Sequence, residues 1–217
     1  MIIDSHMHLH SPGPGLDQTE LDRTLRLADA AGVDFMVMLG SVMIAGAHPT
    51  PDDIRAVNDQ TMAAVKQHPD RFGGLAYINP RHGRWALDEL RRTVADGNLI
   101  GIKLWIAAAA DHPAIDPVAQ AAIELDIPIL QHAWAVTGGN TPDHSTAESV
   151  AALARRHPSL KLVMAHIAGV GPRGVIAVAD CPNIRVDTSG GQPLAGVVAY
   201  AIARLGAGRV LFGTDYP

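Results

Sequence analysis

The sequence has a single cysteine, Cys181, in 217 residues, and this scarcity excludes an intrachain disulfide and a cysteine-rich zinc site. It has no apolar run close to the ~20 residues that a membrane-spanning helix needs. The N-terminus lacks the basic and apolar regions of a signal peptide. We therefore expect a soluble, cytoplasmic protein.

Positively charged residues are fewer than negatively charged ones. Lysine and arginine number 17 against 22 aspartates and glutamates, which gives a formal net charge of −5. This balance offers no basic face for nucleic acid or for an anionic membrane. No low-complexity tract or linker divides the chain, so we expect residues 1–217 to form one domain.

The sequence does contain a regular alternation of short apolar strands and helices. Eight segments bounded by Gly, Pro, Asn or Asp are predicted strands: 2–6, 33–40, 73–79, 99–105, 127–133, 160–167, 183–189 and 209–215. Seven predicted helices lie between them: 19–32, 50–69, 84–97, 116–126, 143–158, 171–182 and 192–206. Each helix would connect one strand to a parallel neighbour. The pattern therefore predicts an α/β fold, a (β/α)8 TIM barrel. The alternative is an open doubly wound sheet, but the glycine-rich phosphate turn typical of that fold is missing.

The predicted barrel lacks a final C-terminal helix, because the sequence ends at Pro217, directly after the eighth strand. The outer faces of the eighth and first strands would then be exposed unless another subunit covers them. A homo-oligomer that covers this flank is therefore one expectation.

Ionisable residues recur where the predicted strands end, which is where a TIM barrel gathers its functional residues. Alternate strand residues share a face, so the first strand would project two imidazoles together. One ionisable group at a strand end can be a hydrogen-bonded core residue, but several at equivalent ends predict a shared metal-centred site, because isolated ionisable side chains are costly to bury. The residues concerned are His6 and His8 on strand 1, Lys103 on strand 4, His132 on strand 5, His166 on strand 6, Asp187, followed by Thr188 and Ser189, on strand 7 and Asp215 on strand 8.

Four motifs at these strand ends, IDSHMH, LQHAW, MAHIAG and FGTDYP, resemble the amidohydrolase superfamily. More narrowly, they resemble its amidohydrolase-related branch of metal-dependent hydrolases and decarboxylases. The segments HPDRFGGLAYINPR and GNLIGIKLW are similar to the same branch. The resemblance therefore covers nearly the whole chain in the right order.

The resemblance implies that His6, His8, His132 and Asp215 surround one divalent metal ion, and that His166 stands beside the metal-bound water or the substrate. Three imidazoles and a carboxylate suit zinc best, while manganese, iron and cobalt accept similar ligands. A metal lowers the pKa of bound water from ~15.7 toward ~7. Asp215 would then accept a proton from this water, and His166 would stabilise oxyanion charge or protonate a leaving group. A supporting or core role is the alternative for His166.

Four further residues have open interpretations. Lys103 is either a carboxylated bridge between two metals, as in binuclear relatives, or, as we favour, a buried cation or hydrogen-bond donor beside one metal. Asp4 shares the strand parity of His6 and is expected to point into the barrel and orient a ligand. His10 is expected at the site entrance, and Arg81 in a solvated loop.

The predicted activity is hydrolysis of an ester, lactone or amide of a small molecule by metal-activated water. The first alternative is non-oxidative decarboxylation of an aromatic or unsaturated carboxylic acid on the same ligands. The second alternative is a barrel without catalysis that serves as a binding or scaffold protein, although such a role needs no set of metal-binding side chains.

Overall fold

Short apolar segments form eight parallel strands in one sheet, with the order β1 to β8 along the chain. The computed structural model describes residues 1–11, 13, 15–135, 143–190 and 195–217. The strands are β1 (Ile3–His8), β2 (Phe35–Leu39), β3 (Phe72–Tyr77), β4 (Gly101–Leu104), β5 (Ile129–Gln131), β6 (Leu162–Met164), β7 (Ile184–Asp187) and β8 (Val210–Leu211).

The chain returns to its start, so the sheet is nearly closed into a barrel. Ser5 N donates to Phe212 O at 2.8 Å, and Asp215 N donates to His6 O at 2.8 Å. Met7 also forms an isolated parallel bridge with Tyr216. The predicted TIM barrel is confirmed, and its closure brings the first and last strands into contact.

Helices follow the strands and pack on the outside of the barrel. They are α1 (Gln18–Ala31), α2 (Val42–Ala45), α3 (Pro51–Gln67), α4 (Arg84–Leu90), α5 (Asp116–Glu124), α6 (Ala147–Arg156), α7 (Ile167–Ala177) and α8 (Val197–Leu205). Local chemistry fixes several ends: Thr50 and Asp53 form a capping box at the start of α3, and Gly32 ends α1 in the left-handed region at φ 70°. Within the described residues, no helix combines the length and the apolar character needed to cross a membrane.

Some predicted boundaries were wrong. The helix expected at 171–182 begins at Ile167, because β6 turns directly into α7 through His166, and Gly171 (φ 64°) then kinks the helix. The helix expected at 84–97 is α-helical only to Leu90 and continues as a π-helical turn over Arg91–Ala95. The four-residue α2 was not predicted.

The buried apolar residues that the structure describes form three clusters, one of them around Met7. A large cluster that includes Ile102, Ile129 and Met164 lies between the strands and the outer helices. Another cluster includes Leu75, Tyr77 and Leu130, and the last two are the register partners of Lys103 in the sheet. The flank where β8 meets β1 exposes apolar side chains, with Phe212 47% and Ile3 41% exposed. The predicted homo-oligomer over this flank stays a prediction.

Candidate metal centre and active site

The imidazoles of β1 converge on a carboxylate from the far end of the chain. His6 Nε2 and His8 Nε2 each lie 3.2 Å from Asp215 Oδ1. Met7, between the two histidines, packs in an apolar cluster with Leu21 and Met36 on the other side of the strand. The prediction that His6 and His8 share a face is therefore confirmed, and barrel closure supplies Asp215.

A second carboxylate, Asp187 at the end of β7, orients His6. His6 Nδ1 lies 2.9 Å from Asp187 Oδ2, and both side chains are fully buried. Although burial opposes ionisation, the contacts with His6 lower the pKa of Asp187 to about 2. An ionised carboxylate only accepts hydrogen bonds, so His6 Nδ1 carries a proton and donates to Asp187, which leaves Nε2 on the side of Lys103 and Asp215. This arrangement of carboxylate and imidazole is the one that usually supports a metal ligand.

Lys103 lies at the same nitrogen. Its side chain is buried, and its Nζ is 2.9 Å from His6 Nε2. Burial lowers the pKa of Lys103 to about 8, while Asp215 and Asp187 oppose this shift. With this pKa, Lys103 is mainly charged at neutral pH, and its Nζ is within hydrogen-bond distance of His6. The choice between the two interpretations of Lys103 stays a prediction.

The remaining two histidines contact each other. His166 Nε2 lies 3.0 Å from His132 Nδ1, and His166 Nδ1 lies 2.8 Å from Ser189 Oγ and 3.7 Å from Asp215 Oδ2. Asp187 also holds this side of the site, because its Oδ1 accepts from the backbone N of His166 at 2.9 Å. His166 itself has a left-handed backbone at φ 69°, which is uncommon outside glycine and frequent at functional sites.

The protonation states of the cluster suit a divalent cation. Burial lowers the pKa of His8 to about 4, that of His166 to about 3 and that of His132 well below its usual range, so all three are neutral at pH 7. Burial opposes ionisation of Asp215, but its contacts with His8, His166 and His6 lower its pKa. Neutral imidazoles and an ionised carboxylate are the forms that bind metals. The residues therefore fit a divalent metal ion.

The structure groups the possible ligands differently from the sequence prediction. Ligand atoms of His6, His166 and Asp215 lie within 4.8 Å of one another. His166 belongs to this group, whereas His8 and His132, two of the four predicted ligands, do not. The Nδ1 of His8 is buried and has no hydrogen-bond partner among the described residues, so only Asp215 orients that ring. The predicted division of roles between His132 and His166 stays a prediction.

A cavity of about 480 Å³ opens above this cluster. One part of its wall is apolar: Leu9, Val42, Met43, Trp105, Ile106 and Pro217. The polar part includes Lys103 and five imidazoles, those of His8, His10, His132, His144 and His166. Asp215 is the one carboxylate among the described lining residues. The cavity therefore suits an anionic substrate with an apolar or aromatic body.

Not every sequence expectation about single residues holds. Asp4 does not point into the barrel beneath the metal site, because the register of β1 shifts between Asp4 and Met7. Asp4 instead lines a separate cavity of about 160 Å³ beside α1. Its carboxylate accepts hydrogen bonds from the backbone N of His6 and from Thr214, next to Asp215. It therefore supports the backbone of two site residues rather than a ligand side chain.

Other expectations are met or extended. His10 is exposed and lines the cavity, as predicted for the entrance. Arg81 is partly exposed, but it pairs with Asp143 and donates to Ala107 O at 2.7 Å, so it is tied to two loops. Sequence reasoning missed His144, and it gave no role to Asp187, although Asp187 ends a strand at the functional face.

Comparisons with known proteins agree with this geometry. A family model described as amidohydrolase matches residues 3–217. The gamma-resorcylate decarboxylase of Polaromonas sp. strain JS666 is 23% identical over 250 residues, which cover 90% of this chain and 76% of that protein.

Two solved structures have the same fold. The 2,6-dihydroxybenzoate decarboxylase from Rhizobium aligns over 100% of this chain and 87% of its own, with a TM-score of 0.74 and 21% identity. The dihydroxybenzoic acid decarboxylase from Polaromonas sp. JS666, described with bound manganese and the inhibitor 2-nitroresorcinol, aligns over 100% and 86%, with a TM-score of 0.73 and 20% identity. At these identities the likeness establishes the fold.

Proposed function

This chain belongs to the amidohydrolase family, and from that premise we propose that it is a metal-dependent, non-oxidative decarboxylase of an aromatic carboxylic acid. The observation that carries the proposal is the cavity, which combines an apolar wall containing Trp105 with Lys103 and several imidazoles. The similarity to decarboxylases of hydroxylated benzoates supports it further. Decarboxylation, the first alternative of the sequence analysis, therefore has better support than hydrolysis.

We assign metal binding to His6, His8, His132 and Asp215, with Asp187 holding the His6 ring. When bound, the metal supplies positive charge that attracts and polarises carboxylate or hydroxyl oxygens of the substrate. Manganese has support from the Polaromonas structure, whereas zinc rests on the donor set alone.

The remaining residues bind the acid and move a proton. Lys103 adds positive charge beside the substrate carboxylate. His166 and Asp215, with Nδ1 and Oδ2 3.7 Å apart, form the proposed proton-transfer pair. A proton that this pair takes up from solvent passes to the ring carbon that carries the carboxylate. The bond to the carboxylate then breaks, its electron pair returns to the ring, and carbon dioxide leaves. The apolar wall keeps bulk water from the reacting carbon.

The test is to incubate manganese-loaded protein with a panel of hydroxybenzoates and, separately, with a panel of lactones and esters. We expect carbon dioxide and the matching phenol from at least one hydroxybenzoate, and no product from Asp215→Asn. Hydrolysis of a lactone or ester without carbon dioxide release would favour the hydrolase instead. A folded protein that binds no metal after reconstitution would favour the scaffold alternative.

The cytoplasmic location and the homo-oligomer are part of the same proposal. The first is the expectation of the sequence analysis, and the second is supported by the apolar side chains exposed at β1 and β8.

A further inference from the structure

One histidine in the cavity wall has no role in the proposed chemistry. His144 lines the same cavity as Lys103 and Asp215, and its ring centroid is 6.4 Å from that of His132. Its Nδ1 is buried and has no hydrogen-bond partner among the described residues. Buried polar atoms are nearly always paired, and an unpaired Nδ1 constrains which nitrogen of this ring carries the proton.

The position of His144 is fixed by its neighbour. Ser145 is fully buried, and its Oγ accepts from Ala110 N and Gln131 Nε2, each at 3.0 Å. Its carbonyl oxygen accepts from Trp134 N at 3.0 Å. These bonds tie the backbone next to His144 to the segments that follow β4 and β5. His144 is therefore held beside His132 by the barrel itself.

The tautomer of His144 follows from the burial of Nδ1. A buried N–H without an acceptor is rarer in proteins than a buried acceptor without a donor. We therefore place the lone pair on the unpaired Nδ1 and the ring proton on Nε2. Nε2–H is then a hydrogen-bond donor on the part of the ring that meets the cavity, and it suits an oxygen atom of a ligand.

Several other polar groups of the wall already have hydrogen-bond partners or lie at the entrance. Ser41 Oγ donates to Leu9 O and accepts from Ser11 N, both at 2.6 Å, so its hydroxyl is already used. Lys103 contacts His6, and His10 is exposed at the entrance. His144 is left as the donor that lies near His132 and has no task.

We propose that His144 is a substrate-binding residue whose Nε2–H donates to a hydroxyl or phenolate oxygen on the ring of the aromatic acid. The inference rests on the proposed function and deepens it by naming the substrate class, a hydroxylated aromatic acid. The acid's carboxylate lies toward Lys103 and the metal ligands, and its ring oxygen lies toward His144. Aromatic acids without such an oxygen leave the His144 donor unpaired and bind more weakly.

The test measures binding, so that it does not depend on turnover. The probes are 2-nitroresorcinol, which has two ring hydroxyls and no carboxylate to lose, and nitrobenzene, which has neither. Calorimetric titration of the manganese-loaded protein compares wild type, His144→Phe, His144→Asn and His144→Gln. The control is His48→Gln, which changes an exposed histidine outside the residues that line the cavity.

We expect His144→Phe and His144→Asn to weaken 2-nitroresorcinol binding about 3- to 10-fold, the range for one hydrogen bond, and to leave nitrobenzene binding unchanged. His144→Gln restores part of the selectivity, because its amide reaches further than that of asparagine and donates. His48→Gln behaves as wild type.

Unchanged selectivity in a folded, manganese-loaded His144→Phe would overturn the assignment. If His144→Phe does not fold, His144→Asn provides the same test, because the shorter asparagine side chain holds its amide donor further from the ligand. A wild-type protein that binds manganese but not 2-nitroresorcinol, and releases no carbon dioxide from any hydroxybenzoate, would count against the proposed function itself. If the wild type prefers 2-nitroresorcinol to nitrobenzene and both His144→Phe and His144→Asn keep this preference, only the assignment of His144 is contradicted.

Discussion

At the scale of single residues, one carboxylate organises much of the site. Asp187 contacts His6 Nδ1 with one oxygen, and with the other it accepts from the backbone N of His166 and of Ser189. It thereby fixes the tautomer of one imidazole and the backbone position of another. Ser189 extends the network to the His166 ring. These contacts fix the orientation of the His6 ring and the backbone position of His166, and supporting contacts of this kind usually orient metal ligands.

The division of roles between His132 and His166 can be tested with matched alanine variants. We expect His132→Ala to lower metal content and activity together, because it removes a proposed ligand. His166→Ala keeps its metal but loses roughly 10²- to 10⁴-fold in turnover, the range for a proton-transfer residue. Metal analysis of the purified variants and rates at saturating substrate measure the two effects.

Each variant is the control for the other. Equal metal loss in both would contradict the division, and loss of metal in His166→Ala alone would assign the ligand to the group formed by His6, His166 and Asp215.

At the scale of elements, the junction of β6 and α7 supports the histidine cluster. The Trp134 ring stacks on His132 with an interplanar angle of 10° and a centroid separation of 6.4 Å. Gly169, in the first turn of α7, lies close to the Trp134 ring. A Cβ atom added at this position would be 2.4 Å from Trp134 Cε3. The helix can approach the tryptophan only because this position has no side chain, so α7 helps to set the His132 orientation.

We therefore expect Gly169→Ala to destabilise the protein by about 1–3 kcal/mol, the usual cost of overpacking, because the rigid indole must move. The better helix propensity of alanine, worth about 1 kcal/mol, offsets part of this cost. Activity should fall as well, since Trp134 moves with His132. Urea unfolding and turnover measure the two effects.

The control is Gly208→Ala, where an added Cβ meets nothing within 4 Å. Its stability should stay within about 0.5 kcal/mol of wild type. A Gly169→Ala protein as stable and active as this control would show that the contact with Trp134 is not tight.

At the scale of the whole molecule, the site depends on closure of the barrel. Asp215 follows β8 and meets His6 and His8 on β1 at 3.2 Å, so the site joins the first and last strands. Few backbone bonds make this junction, among them Thr214 N to His6 O at 3.2 Å and His8 N to Tyr216 O at 2.6 Å. A cation shared by residues of β1 and β8 would therefore reinforce the seam of the barrel.

Metal binding should consequently stabilise the fold. A ligand that binds only the native state adds about 2.7 kcal/mol when its free concentration is 100 times its Kd. We expect manganese to raise the Tm and a chelator to lower it, as measured by thermal unfolding with and without metal. Asp215→Asn should lose most of the manganese-dependent shift, whereas His48→Gln should keep it. An equal shift in Asp215→Asn would place the bound metal elsewhere.

The sequence by itself determined the eightfold alternation, the parallel barrel and the shared face of His6 and His8, because apolar periodicity and helix caps are local properties. The tertiary structure alone decided that Asp187 holds His6, that His144 lines the cavity, that Arg81 pairs with Asp143 and that Asp4 lies outside the barrel. These facts depend on the register between neighbouring strands and on loop paths. A single register shift in β1 reverses the direction of a side chain, and no pattern in the sequence encodes that shift.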